Sequence, residues 1–149
     1  MNAQARVGVA VVGHGNTASA MLSAARSIAA PGSLDDVVAI DAGVGENATL
    51  SAVMCTAITA ADRGRGVVIL VDLLGASPCQ CAQRQGEDHS LVVVSGLSIA
   101  MLLKLSHVDR VGLPLERIAE ACAEAGRRAV AVTRRNRTGE DAEGAGESG

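Results

Sequence analysis

The sequence predicts an α/β domain built on an open, mostly parallel, doubly wound sheet with helices on both faces. Three observations predict it. Short apolar, largely β-branched runs (VGVAVV, VVAID, VVILV and LVVV) recur along the chain, and strands without polar alternation are buried on both faces. Helix-forming stretches separate these runs, and that alternation winds parallel strands through crossover helices. The 149 residues suit a single domain and are too few for a closed eight-stranded barrel, so the sheet is open.

Each element follows from local chemistry. Val7–Val12 is a continuous apolar run that ends in Gly13-His14-Gly15, a strand feeding a loop. Thr17 to Ala30 holds helix formers and few breakers until Pro31-Gly32 stops it. Val37–Asp41 is the second strand. Glu46 to Arg63 places Leu50, Val53, Met54, Ala57, Ile58 and Ala61 on one helical face, with Gly64 and Gly66 punctuating its end. Val67–Val71 is the most hydrophobic strand, followed at once by Asp72. Leu73 to Ala76 forms a loop into Ser77-Pro78, an N-cap with proline at the first helical position. Leu91–Val94 is the fourth strand, and Gly96 opens a helix that runs to about Leu105. Pro114 begins the last helix, whose Leu115, Ile118, Ala119, Cys122 and Ala125 face inward. Ala129–Thr133 is a candidate fifth, shorter strand. The final stretch, RRNRTGEDAEGAGESG, has nothing to anchor a core and reads as a disordered acidic, glycine-rich tail over 134–149, leaving 1–133 as the domain.

Composition excludes several functions. Trp, Tyr and Phe are all absent, so no aromatic platform exists for stacking bases or sugar rings, which argues against nucleic-acid binding. A net charge of −3 and a pI near 5.5 give no field that would attract nucleic acid or an acidic membrane. No apolar run reaches the roughly 18–20 residues of a membrane span, and the first residues lack the pattern of a secretory signal. The expected location is the cytoplasm. Cys55, Cys79, Cys81 and Cys122 sit within apolar patterns and read as small buried hydrophobes in a reducing compartment.

In open α/β sheets, ligands and chemistry lie beyond the carboxyl ends of the strands, where strand order reverses. The residues at that place are Gly13-His14-Gly15, Asp41, and Asp72 to Ser77. Glycines on either side of His14 let the chain turn and leave the imidazole uncovered. If the first and third strands are neighbours, as in a 2-1-3-4 order, Asp72 converges on His14. A carboxylate that accepts Nδ1–H fixes the tautomer and leaves Nε2 as a free nucleophile, a pair suited to taking up a phosphoryl group. The helix starts at Gly15, Asn16 and Thr17 and at Gly75, Ala76 and Ser77 would supply amides and hydroxyls for the incoming phosphate. The plainer alternatives are that His14 and Ser77 merely cap their helices.

A rival reading uses the same loop. Gly13-x-Gly15-x-x-Ala18 fits the dinucleotide fingerprint, with Asp41 as the residue that would bind a ribose hydroxyl. Asp41 lies farther along than the usual interval of about 20 residues, and no second domain is there to hold a hydride-transfer substrate. Metal is not expected. Cys79 and Cys81, two apart on a helix, point to different faces, and His89 and His107 lack partners at ligand spacing. No GK[ST] follows the first loop, and Ser19 and Ser23 have no nucleophile-elbow context.

Three segments, VGVAVVGHGNTASAML, GVVILVDLLGASPCQ and LVVVSGLSIAMLLKL, taken in this order and spacing, resemble the IIA domain of the mannose-family sugar phosphotransferase system. The similarity covers about residues 6 to 133. It implies that His14 accepts phosphate from the carrier protein HPr and passes it to a IIB protein or uses it for regulation. It also implies that Asp72 orients the histidine, that Ser77 lies beside it, and that no metal or organic cofactor is needed. A homodimer is implied as well, in which a C-terminal strand, here Ala129–Thr133, crosses to become an edge strand of the partner. The chain departs from the family pattern at Gly75-Ala76-Ser77-Pro78, where GGSP is usual, at Cys79-Gln80, and in Gly96 to Leu102, which lacks the family's Asn and Pro. The related phosphocarrier subunit of the dihydroxyacetone kinase system shares the fold and histidine, but its Met-Gly-Ser loop is unlike Leu73-Leu74-Gly75-Ala76-Ser77.

Overall fold

The computed structural model describes residues 4–41, 48–73 and 90–136. Four parallel strands form one sheet in the order β2-β1-β3-β4. They are β1 (Arg6–Gly13), β2 (Val38–Asp41), β3 (Gly64–Val71) and β4 (Leu91–Ser95), and among the described residues four helices accompany them, α1 (Thr17–Ile28), α2 (Ala48–Ala61), α3 (Ile99–Leu105) and α4 (Leu115–Ala129). The predicted fold class, parallel pairing and strand order are all present.

Alternate residues of the two central strands bury opposite ways, as the pleat requires. Val7, Val9 and Val11 of β1 and Val68 and Leu70 of β3 pack on α1, α3 and α4. Ala10 and Val12 of β1 and Val67, Ile69 and Val71 of β3 pack on Ile58 and Ala61 of α2. Both faces are therefore covered, which is why these strands carry almost no polar residue. At Gly8 the end of α2 comes so close that a Cβ would stand 1.9 Å from the Ala61 carbonyl oxygen. Only glycine admits that approach.

The opposite end of the sheet from the strand carboxyl termini is fastened by charge. Arg110, buried to 6% exposure, donates from Nη1 to Val7 O at 3.2 Å and to Asp36 Oδ2 at 2.9 Å, and from Nη2 to Asp36 Oδ1 at 2.6 Å. Arg6 Nε adds a bond to the same carboxylate at 3.0 Å. Burial alone would raise the pKa of Asp36, but the hydrogen bonds and charges of Arg110 and Arg6 outweigh it and bring it down to about 2. A buried arginine needs such a partner.

Several expectations are corrected. β3 begins at Gly64, so the two glycines expected to end the preceding helix instead open the strand, with positive φ at both. α1 ends at Ile28 rather than Ala30, and α3 starts at Ile99 after a genuine N-cap, Ser98, whose side chain accepts from the Met101 amide. Cys55 is disulfide-bonded and so is no free hydrophobe. Cys122, the other cysteine among the described residues, is free and buried. Ala129 closes α4, and residues 130–133 pair with no strand among the described residues. Val130 and Val132 are 82% and 93% exposed. The helix expected from Ser77-Pro78 and most of the expected tail lie outside the described residues. Among those described, no helix is long and apolar enough to cross a membrane.

Candidate functional site

β1 delivers His14 at its carboxyl end, and its two neighbours each deliver a carboxylate there. Gly13 sits opposite Asp41 of β2. On the other side Val12 pairs with Val71, and the next residue, Asp72, donates its amide to Val12 O at 3.2 Å. The strand order thus brings His14 and Asp72 together across 58 residues of sequence.

Asp72 grips His14 twice. Its Oδ2 accepts the His14 backbone N–H at 2.8 Å and lies 3.0 Å from Nδ1, while Oδ1 lies 3.1 Å from Nδ1. Oδ1 also accepts the Leu73 amide at 2.8 Å. Desolvation pushes the Asp72 pKa up, yet the bonds from the His14 amide, the His14 ring and the Leu73 amide outweigh it and hold the carboxyl below its ordinary value. A charged carboxylate at Nδ1 favours the Nδ1–H tautomer and leaves the Nε2 lone pair unused. The His14 side chain is 64% exposed against 21% for Asp72. The carboxylate is sheltered and the imidazole open.

The turn that carries His14 is short and tied at both ends. A Cβ at Gly13 would stand 3.0 Å from both Ala18 N and Thr17 Cβ, so a glycine lets α1 start against the strand end. Gly15 turns the chain at φ 56° with nothing within 4 Å of where its Cβ would be. Thr17 donates both its amide, at 3.0 Å, and its hydroxyl, at 2.6 Å, to His14 O. Asn16 is the N-cap of α1 but makes no side-chain cap bond; its carbonyl accepts from Ala20 N and Ser19 Oγ. The structure thus places Gly15, Asn16 and Thr17 around His14, whereas Gly75, Ala76 and Ser77 lie outside the described residues.

Asp41, the candidate ribose ligand of the rival reading, is already engaged. Its Oδ1 accepts Ser19 N–H at 3.0 Å and its Oδ2 accepts Ser19 Oγ–H at 2.5 Å. The Ser19 hydroxyl, the Ser19 amide and the Ala18 amide lower its pKa against a smaller opposing effect of burial. Sequence patterning alone misses this Ser19–Asp41 pair; the register of Gly13 against Asp41, with α1 starting right after β1, is the signal that could find it. Among the described residues no group of three or more His, Cys, Asp or Glu is placed to hold a metal.

The carboxyl end of an open doubly wound sheet thus presents an exposed imidazole backed by a sheltered carboxylate, at the place where such sheets carry their chemistry. A family model described as PTS system fructose IIA component, the mannose-type EIIA family, matches residues 8–125. The chain belongs to that family. Over 54 residues it is 39% identical to YadI of Escherichia coli (strain K12), a protein named as a putative phosphotransferase enzyme IIA component, a match over 36% of this chain. The aligned stretch spans 37% of that relative's length. A PTS IIA protein associated with the fucose utilization operon of Streptococcus pneumoniae is similar in structure, with TM-score 0.63 and 26% identity over 83% of this chain and 93% of that one. The mannose/sorbose-specific IIA subunit of Enterococcus faecalis shares the fold at TM-score 0.66 and 22% identity, over 85% of this chain and 94% of that one.

Proposed function

We propose that this chain is a phosphocarrier that takes a phosphoryl group onto Nε2 of His14 from an HPr-type donor and yields it to a IIB-type protein or to a regulatory target. The observation that carries this reading is the bond of His14 Nδ1 to the sheltered Asp72 carboxylate, with the ring otherwise open. In the transfer, the Nε2 lone pair forms the new N–P bond as the donor's N–P bond breaks and its electron pair returns to the donor nitrogen. The proton stays between Nδ1 and Asp72, which offsets the positive charge that develops on the ring. No proton leaves and no metal or organic cofactor takes part.

The phosphoryl oxygens need donors. Gly15 and Asn16 flank His14 in the turn, and Gly75, Ala76 and Ser77 follow Asp72 in sequence; these five are assigned to hold the phosphoryl group, whereas Thr17, whose hydroxyl and amide both donate to His14 O, braces the turn. The chain acts in the cytoplasm on protein partners, without nucleic acid and without inserting in a membrane. It acts as a homodimer. Support for the dimer comes from β4, an edge strand beside a groove of about 490 Å³ lined by Val92, Val94, Met101, Ala123 and Val130. The exposed Val130 and Val132 are suited to pair along the partner's open edge.

The test is intact-mass spectrometry after incubation with phosphoenolpyruvate, enzyme I and HPr from the same organism, with wild type and His14→Ala run side by side. One acid-labile phosphoryl unit on the wild type, absent from the variant, is the expected result. No gain on the wild type overturns the reading.

A further inference from the structure

We propose that Asp41 is a positioning residue that keeps the N-terminus of α1 from capturing the phosphoryl group, so that phosphorylated His14 stays ready to give it up. The inference rests on the phosphocarrier reading. α1 begins three residues after His14 and has no cap from its own sequence. Asn16 makes no side-chain cap bond, and the first turn holds no acidic residue. The first amides of a helix carry partial positive charge and bind anions readily. Here the anion that takes them is Asp41, from the neighbouring strand. It accepts from the Ser19 amide at 3.0 Å and the Ser19 hydroxyl at 2.5 Å, and the neighbouring Ala18 amide helps to lower its pKa.

β1 therefore ends between two carboxylates with separate duties. Asp72 takes the donors of the histidine, and Asp41 takes the donors of the helix. The remaining first-turn donors, the Thr17 amide and hydroxyl, turn back to His14 O. The helix pole that begins three residues after His14 is thus met by the Asp41 carboxylate before a dianion arrives on Nε2. For a carrier this is an advantage, because every hydrogen bond that holds the phosphoryl group in the resting phosphorylated state adds to the barrier for passing it on. Without the Asp41 charge, the pole would be free to hold the group.

The test uses the full chain as wild type, Asp41→Asn and Ser19→Ala. The equilibrium for phosphoryl exchange with HPr is measured by intact mass from both directions. Removing the charge is expected to shift it toward the phosphorylated chain by about threefold, the size of a helix-pole interaction, and to slow onward transfer by a similar factor. Ser19→Ala leaves the carboxylate on the Ser19 amide and is expected to shift it less. A residue that only braces the fold would move the equilibrium the other way or not at all, and either result overturns the proposal. A second readout does not need phosphotransfer. In ¹H–¹⁵N spectra with added inorganic phosphate, the Ala18 and Ser19 amides are expected to shift in Asp41→Asn and to stay still in the wild type. Amides that respond alike in the two proteins overturn the role of Asp41. A wild type that takes no phosphoryl group overturns the carrier reading instead, leaving the phosphate spectra to judge Asp41 alone.

Discussion

Replacing Asp72 by Asn changes one atom and one charge, and the surrounding geometry determines the consequence. Each carboxylate oxygen of Asp72 faces a backbone donor at 2.8 Å, Oδ2 the His14 amide and Oδ1 the Leu73 amide. An asparagine has one acceptor oxygen and one NH₂ donor. Whichever way it turns, the NH₂ confronts a backbone N–H, so one of these two bonds is lost. The imidazole loses its charged acceptor as well. If the NH₂ faces Nδ1, the ring is driven to the Nε2–H tautomer and its nucleophilic lone pair disappears. A hydrogen bond to a charged group is worth about 1.5–3 kcal/mol, so phosphoryl transfer to His14 is expected to slow by about 10- to 100-fold. The assay is a single-turnover quench experiment with phosphorylated HPr, read by intact mass, alongside a far-UV spectrum of the unreacted variant. A folded Asp72→Asn protein that takes the phosphoryl group within about threefold of the wild-type rate would refute the orienting role of the carboxylate.

Other predictions concern the scaffold. The Asp36 carboxyl titrates at about 2 in the folded chain against an ordinary 3.8, so its contribution is complete above pH 4 and is lost as the pH falls from about 4 to 2. That contribution is about 2 kcal/mol; urea titrations should show this loss in the wild type, and Asp36→Asn, already weaker at neutral pH, should lack this part of the acid dependence. Gly8→Ala puts a Cβ against the Ala61 carbonyl oxygen and should cost about 1–3 kcal/mol or more in the same assay; a loss below about 0.5 kcal/mol would mean that α2 does not sit on β1 as described. Burial pushes the Cys122 thiol up to about 11, so iodoacetamide at pH 8 should leave it unmodified in the native chain and label it in denaturant, as peptide mapping would read. Rapid native labelling would contradict its burial.

The parts of the molecule legible in the sequence are those set by local chemistry. The apolar runs at Val7–Val12 and Val67–Val71 give away the central strands because both faces are buried, and the glycines on either side of His14 mark the turn after the first. Convergence of His14 with Asp72 needs one nonlocal assumption, that β1 and β3 are neighbours, and the 2-1-3-4 order supplies it. Pairings made between elements are not legible. Asp36 meets Arg110 across 74 residues, and nothing near either residue in sequence announces a buried ion pair. Ser19 meets Asp41 only because α1 starts at once after β1 and β2 lies in register beside it. The start of β3 reads too late in the sequence because glycine is a usual stop signal, while here Gly64 and Gly66 carry positive φ within a strand that pairs irregularly with Arg6 to Gly8. Residues 130–133 have the alternation of a strand but pair with no strand among the described residues, and alternation by itself names no pairing partner.

The proposed function comes down to a single atom, Nε2 of His14, as the bearer of the phosphoryl group. With ¹⁵N-histidine label and ³¹P detection on the chain phosphorylated by phosphoenolpyruvate, enzyme I and HPr, the phosphorus is predicted to couple to Nε2 of His14 while Nδ1 keeps its proton against Asp72. Coupling to Nδ1, or to either of the other two histidines, would contradict the account.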